Sequence, residues 1–174
     1  MDGIAVLKSA YAGAHMWYRG TIEGLTSEDA NRVPPGIAHP IGQQIAHILH
    51  AEDGMLNMVL RGQPMLWERD GWGARLDLPL QLAQTSDSAR AFRCDAQQLA
   101  QLGEYADAVF ANTDAYLDSL TPDDLDAEAD LTAAGMGTMP LGVFLTQFLL
   151  GNTYGHTGEI STLKGMLGRT GYPF

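Results

Sequence analysis

Three polar side chains interrupt an otherwise apolar helical pattern near the end of the sequence. Residues 141–167 repeat apolar residues at the three-to-four spacing of one buried face, and this face passes over Asn152, His156 and Glu159. At about 100° per residue, the three side chains share an arc of roughly 60°. A polar group in a core is costly without a partner, so we expect another part of the protein or a ligand to satisfy each one.

A second set of such residues lies in a helical pattern that spans residues 40–61. Glu52 lies in the middle of its apolar face, whereas His47 lies well off the centre and His50 lies further still. One face cannot bury all three side chains unless both flanks of the helix meet neighbours. Glu52 and Glu159 are therefore the acidic residues that the sequence predicts on inward faces.

The residue types favour a metal site or a hydrogen-bonded polar cluster over nucleophilic catalysis. No serine follows a strand in the sharp turn that a hydrolase nucleophile occupies. Asn152 and His156 are one helical turn apart, so both can reach one ion. His47 or His50 would add a nitrogen ligand of the kind that zinc, nickel and iron prefer. The spacing by itself leaves both interpretations open.

The elements that must position these residues are four long helices. Proline and glycine residues separate the helical patterns, which cover residues 3–25, 40–61, 86–120 and 141–167. We find no strand-like alternation, so the sequence predicts an all-α, antiparallel four-helix bundle that forms a single domain over residues 1–174. The long connection between helices 2 and 3, residues 63–85, contains two tryptophans and is predicted to pack on the body, with Ser86 as the cap of helix 3.

The amino-acid composition limits the classes of binding partner and the cellular compartment that we expect. The net charge of −11 argues against binding to nucleic acid or to an anionic membrane surface. No apolar run reaches the roughly 18 residues of a membrane span, and the single Cys94 excludes an internal disulfide, so we expect a cytoplasmic protein. We interpret Cys94 as a small buried residue and His15 as an exposed or partly buried one.

Two motifs resemble those of the DinB-like superfamily. The stretch from Pro40 to Glu52 is similar to that family's helix 2 motif, in which an acidic residue follows a histidine, here His47, by five positions. The stretch Asn152-Thr-Tyr-Gly-His156-Thr-Gly-Glu159 resembles the family's closing motif, which ends in Leu-Gly. The resemblance covers nearly the whole chain in layout and implies a four-helix bundle, commonly a homodimer.

The resemblance also implies a divalent metal ion (zinc, nickel, iron or manganese) held by His47, Asn152 and His156. Family members usually carry His or Glu where this chain has Asn152, so the ion is either held weakly or lost. His50 is the alternative ligand. Glu52 and Glu159 would then either accept the far N–H of a ligand histidine or hydrogen-bond to a neighbouring helix.

By the same resemblance, the function is that of a metal-dependent transferase that uses a low-molecular-weight thiol. The ion would stabilise the thiolate, and Trp67, Trp72 and Tyr154 are candidates for the pocket walls. The alternative is a non-catalytic bundle with a degenerate metal site, which is either a small-molecule binder or a stress-related dimer.

Overall fold

The computed structural model describes residues 2–78 and 86–174 and is mostly helical, as the sequence predicts. In chain order the helices are α1 (Gly3–Ile22), α2 (Ser27–Asn31), α3 (Ile41–Asp53), α4 (Leu66–Arg69), α5 (Trp72–Leu76), α6 (Ser86–Ala91), α7 (Ala96–Asp118), α8 (Leu141–Val143) and α9 (Gly151–Met166). In the described ranges, no helix is long and apolar enough to cross a membrane.

The long helices are packed so that each contacts two others. Helix α1 packs on α7 and α9, and α3 packs on the same two helices. The apolar core between them includes Tyr18, Ile45, Leu49 and Phe110, all almost fully buried. Because α3 and α9 lie side by side, the two sets of candidate residues belong to neighbouring helices.

Each of the two helices that carry candidate residues is continuous with a π-helical segment. Helix α3 runs directly into the π-helical residues Gly54–Leu60, and the π-helical residues Phe144–Leu150 join α8 to α9. A π-helical turn closes hydrogen bonds over one more residue than an α-helical turn, and such turns are frequent at functional sites. One π segment begins just after Glu52, and the other ends just before Asn152.

The prediction of one continuous helix over residues 86–120 is wrong. Helix α6 ends at Ala91, and α7 begins at Ala96 with Asp95 as its N-cap. The Asp95 side chain accepts the Gln98 backbone N–H at 2.8 Å, and the Gln98 side chain accepts the Asp95 backbone N–H at 2.9 Å. This reciprocal capping box fixes a helix start inside the apolar pattern.

The structure also contains a small sheet that the sequence does not predict. Strands β1 (Glu128–Asp130) and β2 (Thr138–Pro140) pair antiparallel, with Ala129 opposite Met139. Each strand has only three residues, which is too short for an alternating pattern to be recognised. The two strands lie in the connection between α7 and α8.

The connection after α3 packs on the body through one buried carboxylate. Asp53 Oδ1 accepts the Leu66 backbone N–H at 2.9 Å, while Oδ2 accepts the Trp67 N–H at 3.0 Å and the Tyr105 hydroxyl at 2.6 Å. The prediction of a packed connection is confirmed for this part. Its final residues, 79–85, and the Ser86 side chain lie outside the described residues.

Candidate functional site

The structure brings His47 of α3 and His156 of α9 into direct contact. Their imidazole rings meet edge to face, with centroids 4.6 Å apart and an interplanar angle of 87°. Both side chains are partly buried, and Asn152 lies one helical turn before His156 on α9. The residues that the sequence singles out on the two helices therefore belong to one cluster.

Burial keeps the His47 ring neutral. Burial is the main cause that lowers the pKa of His47, to about 4, and the nearby His156 lowers it further. A side-chain hydrogen bond with Asn152 and the charge of Glu159 act in the opposite direction. In the described part of the chain, no group hydrogen-bonds to the buried Nδ1 atom of His47. A neutral imidazole is the form that donates a lone pair to a metal ion.

The His156 ring is oriented by Glu159. His156 Nδ1 lies 2.7 Å from Glu159 Oε2, and the Glu159 side chain is 54% exposed. The prediction that Glu159 faces the core is wrong. The buried positions of α9 are instead Thr153, Thr157 and Ile160, because the wide π turn before α9 advances less than about 100° per residue and shifts the buried face.

Two cavities adjoin the histidine pair. A pocket of about 230 Å³ is lined by His47, Ala51, Glu52, Met55, Phe148, Leu149 and Asn152. A larger cleft of about 800 Å³ has His156 and Glu159 in its lining, together with His39, Gln44 and Tyr172. The sequence pattern does not identify His39, since it lies in the irregular segment before α3. One histidine of the pair thus lines the small pocket, and the other lines the wider cleft.

Glu52 bridges helices instead of orienting His47. It is 1% exposed, and its Oε1 atom accepts the Thr113 hydroxyl at 2.6 Å and lies 3.2 Å from His15 Nε2. Its Oε2 atom accepts the Thr153 hydroxyl at 3.2 Å. Of the two interpretations of the glutamates, Glu52 fits the contact with neighbouring helices, and Glu159 fits the orientation of a histidine.

The prediction of an exposed or partly buried His15 is wrong. Its ring is buried and stacks on Phe110, with centroids 3.7 Å apart and planes 8° from parallel. The signal was present in the sequence: Tyr11, His15 and Tyr18 follow the three-to-four spacing of the buried stripe of α1.

Three predicted wall residues and the alternative ligand pack elsewhere. His50 lies edge-on against Trp67 at 5.9 Å, and burial lowers its pKa. Trp72 packs against Tyr105 in the core at 5.5 Å. Tyr154 turns to α1, where its hydroxyl donates to the Ala10 carbonyl at 3.1 Å.

The donor set suits a divalent ion, although only weakly. Across residues 2–78 and 86–174, no group of three His, Cys, Asp or Glu side chains could hold a metal ion. His47 and His156 offer two imidazoles, and the Asn152 amide oxygen is a weak, neutral third donor. The neutral His47 ring and the carboxylate on the far nitrogen of His156 both fit ligand histidines.

Comparisons with known proteins agree on the fold. The family model described as the DinB superfamily matches residues 11–160. A solved structure from Enterococcus faecalis, described as a conserved protein of locus, has a TM-score of 0.80 at 20% identity and covers 97% of this chain and 99% of that chain. At this identity the likeness shows the fold alone. Among curated proteins, none matches this chain.

Proposed function

The chain belongs to the DinB superfamily, and on this premise we propose that it is a divalent-metal-dependent transferase that uses a low-molecular-weight thiol. The observation that carries the proposal is the edge-to-face contact between His47 of α3 and His156 of α9. Asn152 lies one turn before His156 on α9. Zinc, nickel, iron and manganese are the candidate ions. The three proposed ligands are His47, Asn152 and His156.

Each ligand has a distinct role in the proposed site. His47 offers a neutral ring because burial lowers its pKa. His156 is held in orientation through its Nδ1 atom by Glu159, which leaves Nε2 for binding. A bound divalent ion would supply Lewis acidity, which stabilises the thiolate form of a thiol at neutral pH. With three protein ligands, coordination positions remain open for that thiol.

The larger cleft is the proposed site for the body of the thiol. Its volume of about 800 Å³ lies within the usual range for small-molecule sites, and His156 and Glu159 lie in its wall. His39 and Gln44 add side chains that can hydrogen-bond to a polar ligand. These groups would orient the thiol toward the histidine pair.

Metal content tests the proposal. The protein is purified without a histidine tag, dialysed to equilibrium against zinc, nickel, iron(II) or manganese, and analysed for bound metal. We expect near-stoichiometric metal in the native chain, and loss of most of it in His156→Ala and His47→Ala. His39→Ala is the matched control, because this histidine lines the cleft but is not a proposed ligand. Absence of metal from the native chain after every incubation would falsify the proposal.

A second candidate is a non-catalytic bundle with a degenerate metal site, either a small-molecule binder or a stress-related dimer. The observation that favours it is Asn152, together with the lack of a third strong ligand in the described ranges. This candidate predicts that the native chain and His156→Ala bind equally little metal. The metal measurement therefore separates the two functions.

The proposal includes assembly and location. The contacts of α1 and α3 with α7 and α9 support an antiparallel four-helix bundle. We propose that the protein is a homodimer and that it is located in the cytoplasm. The buried Cys94 fits a reducing compartment as a free thiol. Burial raises the pKa of this thiol to about 11, so little of the reactive thiolate forms at neutral pH. Light scattering at tens of micromolar should give twice the mass of one chain, and a monomeric mass would contradict the dimer.

A further inference from the structure

The cleft that contains His156 lies along α9 and is bounded by two other parts of the chain. Residues 37–39 and Gln44 line it from α3 and the segment before α3, and Tyr172 lines it from the C-terminal segment. We propose that Tyr172 is the specificity-determining residue of this cleft, because its side chain forms the wall opposite α3 and limits the width of a ligand that can lie along α9. That this ligand is a thiol rests on the proposed function.

Ring contacts place Tyr172 on the α1 side of the cleft. Its ring centroid lies 5.5 Å from that of Trp17 on α1, and its ring stacks on Phe174 with planes 7° apart. Phe174 also packs on Trp17, with centroids 4.9 Å apart. Helix α9 packs on both α1 and α3. A side chain that is held against α1 therefore lies across α9 from the wall that α3 provides.

The hydroxyl end of Tyr172 reaches α9 at Gly158. A Cβ atom at Gly158 would lie 3.0 Å from the Tyr172 hydroxyl oxygen, so the side chain touches the surface of α9. Thr162 lies one helical turn further along, and its hydroxyl donates to the Gly158 carbonyl at 3.0 Å. Both residues line the cleft. A ligand that extends along α9 from His156 must therefore pass between Tyr172 and the wall on the α3 side.

Close contacts with glycines hold the C-terminal segment in place. A Cβ atom at Gly20 of α1 would lie 2.5 Å from the Pro173 side chain, and a Cβ atom at Gly171 would lie 2.8 Å from the Ser161 carbonyl oxygen. Among the described residues, no backbone hydrogen bond joins residues 170–174 to the rest of the chain. Packing therefore positions the wall, and a methyl group at Gly20 should displace it.

The accessibility of an introduced cysteine measures the width of the cleft in metal-free protein. Thr162→Cys places a thiol in the cleft, and its alkylation rates with iodoacetamide and with the bulkier fluorescein-5-maleimide are compared in EDTA. The native chain, in which Cys94 is buried, gives the background. We expect Tyr172→Ala to raise the ratio of the bulky to the small reagent's rate at least fivefold. Tyr172→Phe keeps the ring and should leave the ratio within twofold.

A matched thiol elsewhere separates a wider cleft from a general loosening of the structure. Ala115→Cys lies at an exposed position of α7, and Tyr172→Ala should leave its rate ratio within twofold. A change in general exposure would alter the rates of both reagents alike, whereas loss of a wall favours the bulky reagent.

A second variant displaces the wall and leaves Tyr172 in the chain. Gly20→Ala should raise the rate ratio at Thr162→Cys at least threefold, because the added methyl group displaces the C-terminal segment while alanine favours the α1 helix. Gly103→Ala, on α7, is its matched control and should leave the ratio unchanged, since a Cβ atom there has open space among the described residues.

Two results at Thr162→Cys would overturn the inference: Tyr172→Ala leaves the rate ratio unchanged, or Tyr172→Phe raises it as much as Tyr172→Ala does. If Tyr172→Ala does not fold, Gly20→Ala decides the question, and an unchanged ratio in that variant overturns the inference. Because the protein is free of metal throughout, failure of metal binding and failure of the wall are separate results.

Discussion

Glu159 Oε2 lies 2.7 Å from Nδ1 of His156, on the solvent side of α9. The two residues are three positions apart on one helix, so the helix itself sets their separation. This contact fixes which nitrogen of His156 carries the proton, and it directs the other nitrogen away from Glu159. A carboxylate in this position fixes the orientation of a ligand histidine.

Glu159→Gln should weaken zinc binding about tenfold, because an amide holds the His156 ring less firmly than a carboxylate. The dissociation constant can be measured by competition with a chromophoric chelator. Glu28→Gln, on the exposed face of α2, is the control and should not change the affinity. Equal affinities for Glu159→Gln and the native chain would show that this contact does not support a metal site.

Asn152→His should tighten zinc binding at least tenfold, since it replaces a weak amide oxygen with an imidazole at the third ligand position. The same competition assay measures the change. Gln147→His places a new histidine at an exposed position of the π segment and controls for non-specific binding. If Asn152→His and Gln147→His have the same affinity, Asn152 does not occupy a ligand position.

The sequence predicts the family, the helical fold and the pairing of His47 with the motif of α9, because short motifs and apolar spacing are local signals. It misplaces Glu159, since a π turn changes the advance per residue without a recognisable sequence signal. It also misses the contact between His15 and Glu52, which joins two helices through a buried polar pair. Such a pair depends on tertiary packing, which spacing along one helix does not reveal.

The stability of the metal-free protein should fall as the pH decreases below about 6.5, in part because of His50. Burial lowers the folded-state pKa of His50 from its ordinary value of 6.5, an effect that Asp53 partly opposes. The unfolded chain therefore binds a proton first, so the stabilisation is complete above 6.5 and is lost as the pH falls through the folded-state pKa. His47, with a pKa of about 4, acts in the same direction.

Urea unfolding at several pH values between 7.5 and 5, followed by tryptophan fluorescence, measures this dependence. His50→Gln should reduce the slope of the unfolding free energy against pH over this range. His39→Gln, a histidine of the partly exposed segment before α3, provides the comparison. An unchanged slope in His50→Gln would mean that His50 titrates alike in the folded and unfolded chains.

We expect Asp53→Ala to destabilise the protein more than Tyr105→Phe. Both substitutions remove part of the hydrogen bonding that attaches the connection after α3 to the body. Asp53 is fully buried and accepts from Leu66, Trp67, Tyr105 and Asn57, so its loss leaves several buried donors without a partner. We expect a loss of about 3–5 kcal/mol for Asp53→Ala and about 2 kcal/mol for Tyr105→Phe, measured by urea unfolding.

The double variant tests whether these two losses share a cause. Because Tyr105→Phe removes a hydrogen bond that Asp53→Ala has already broken, the combined loss should be smaller than the sum of the single losses. Asp114→Ala, at an exposed position of α7, should leave stability unchanged. If the losses of unfolding free energy are strictly additive, the 2.6 Å hydrogen bond between Tyr105 and Asp53 does not contribute to stability.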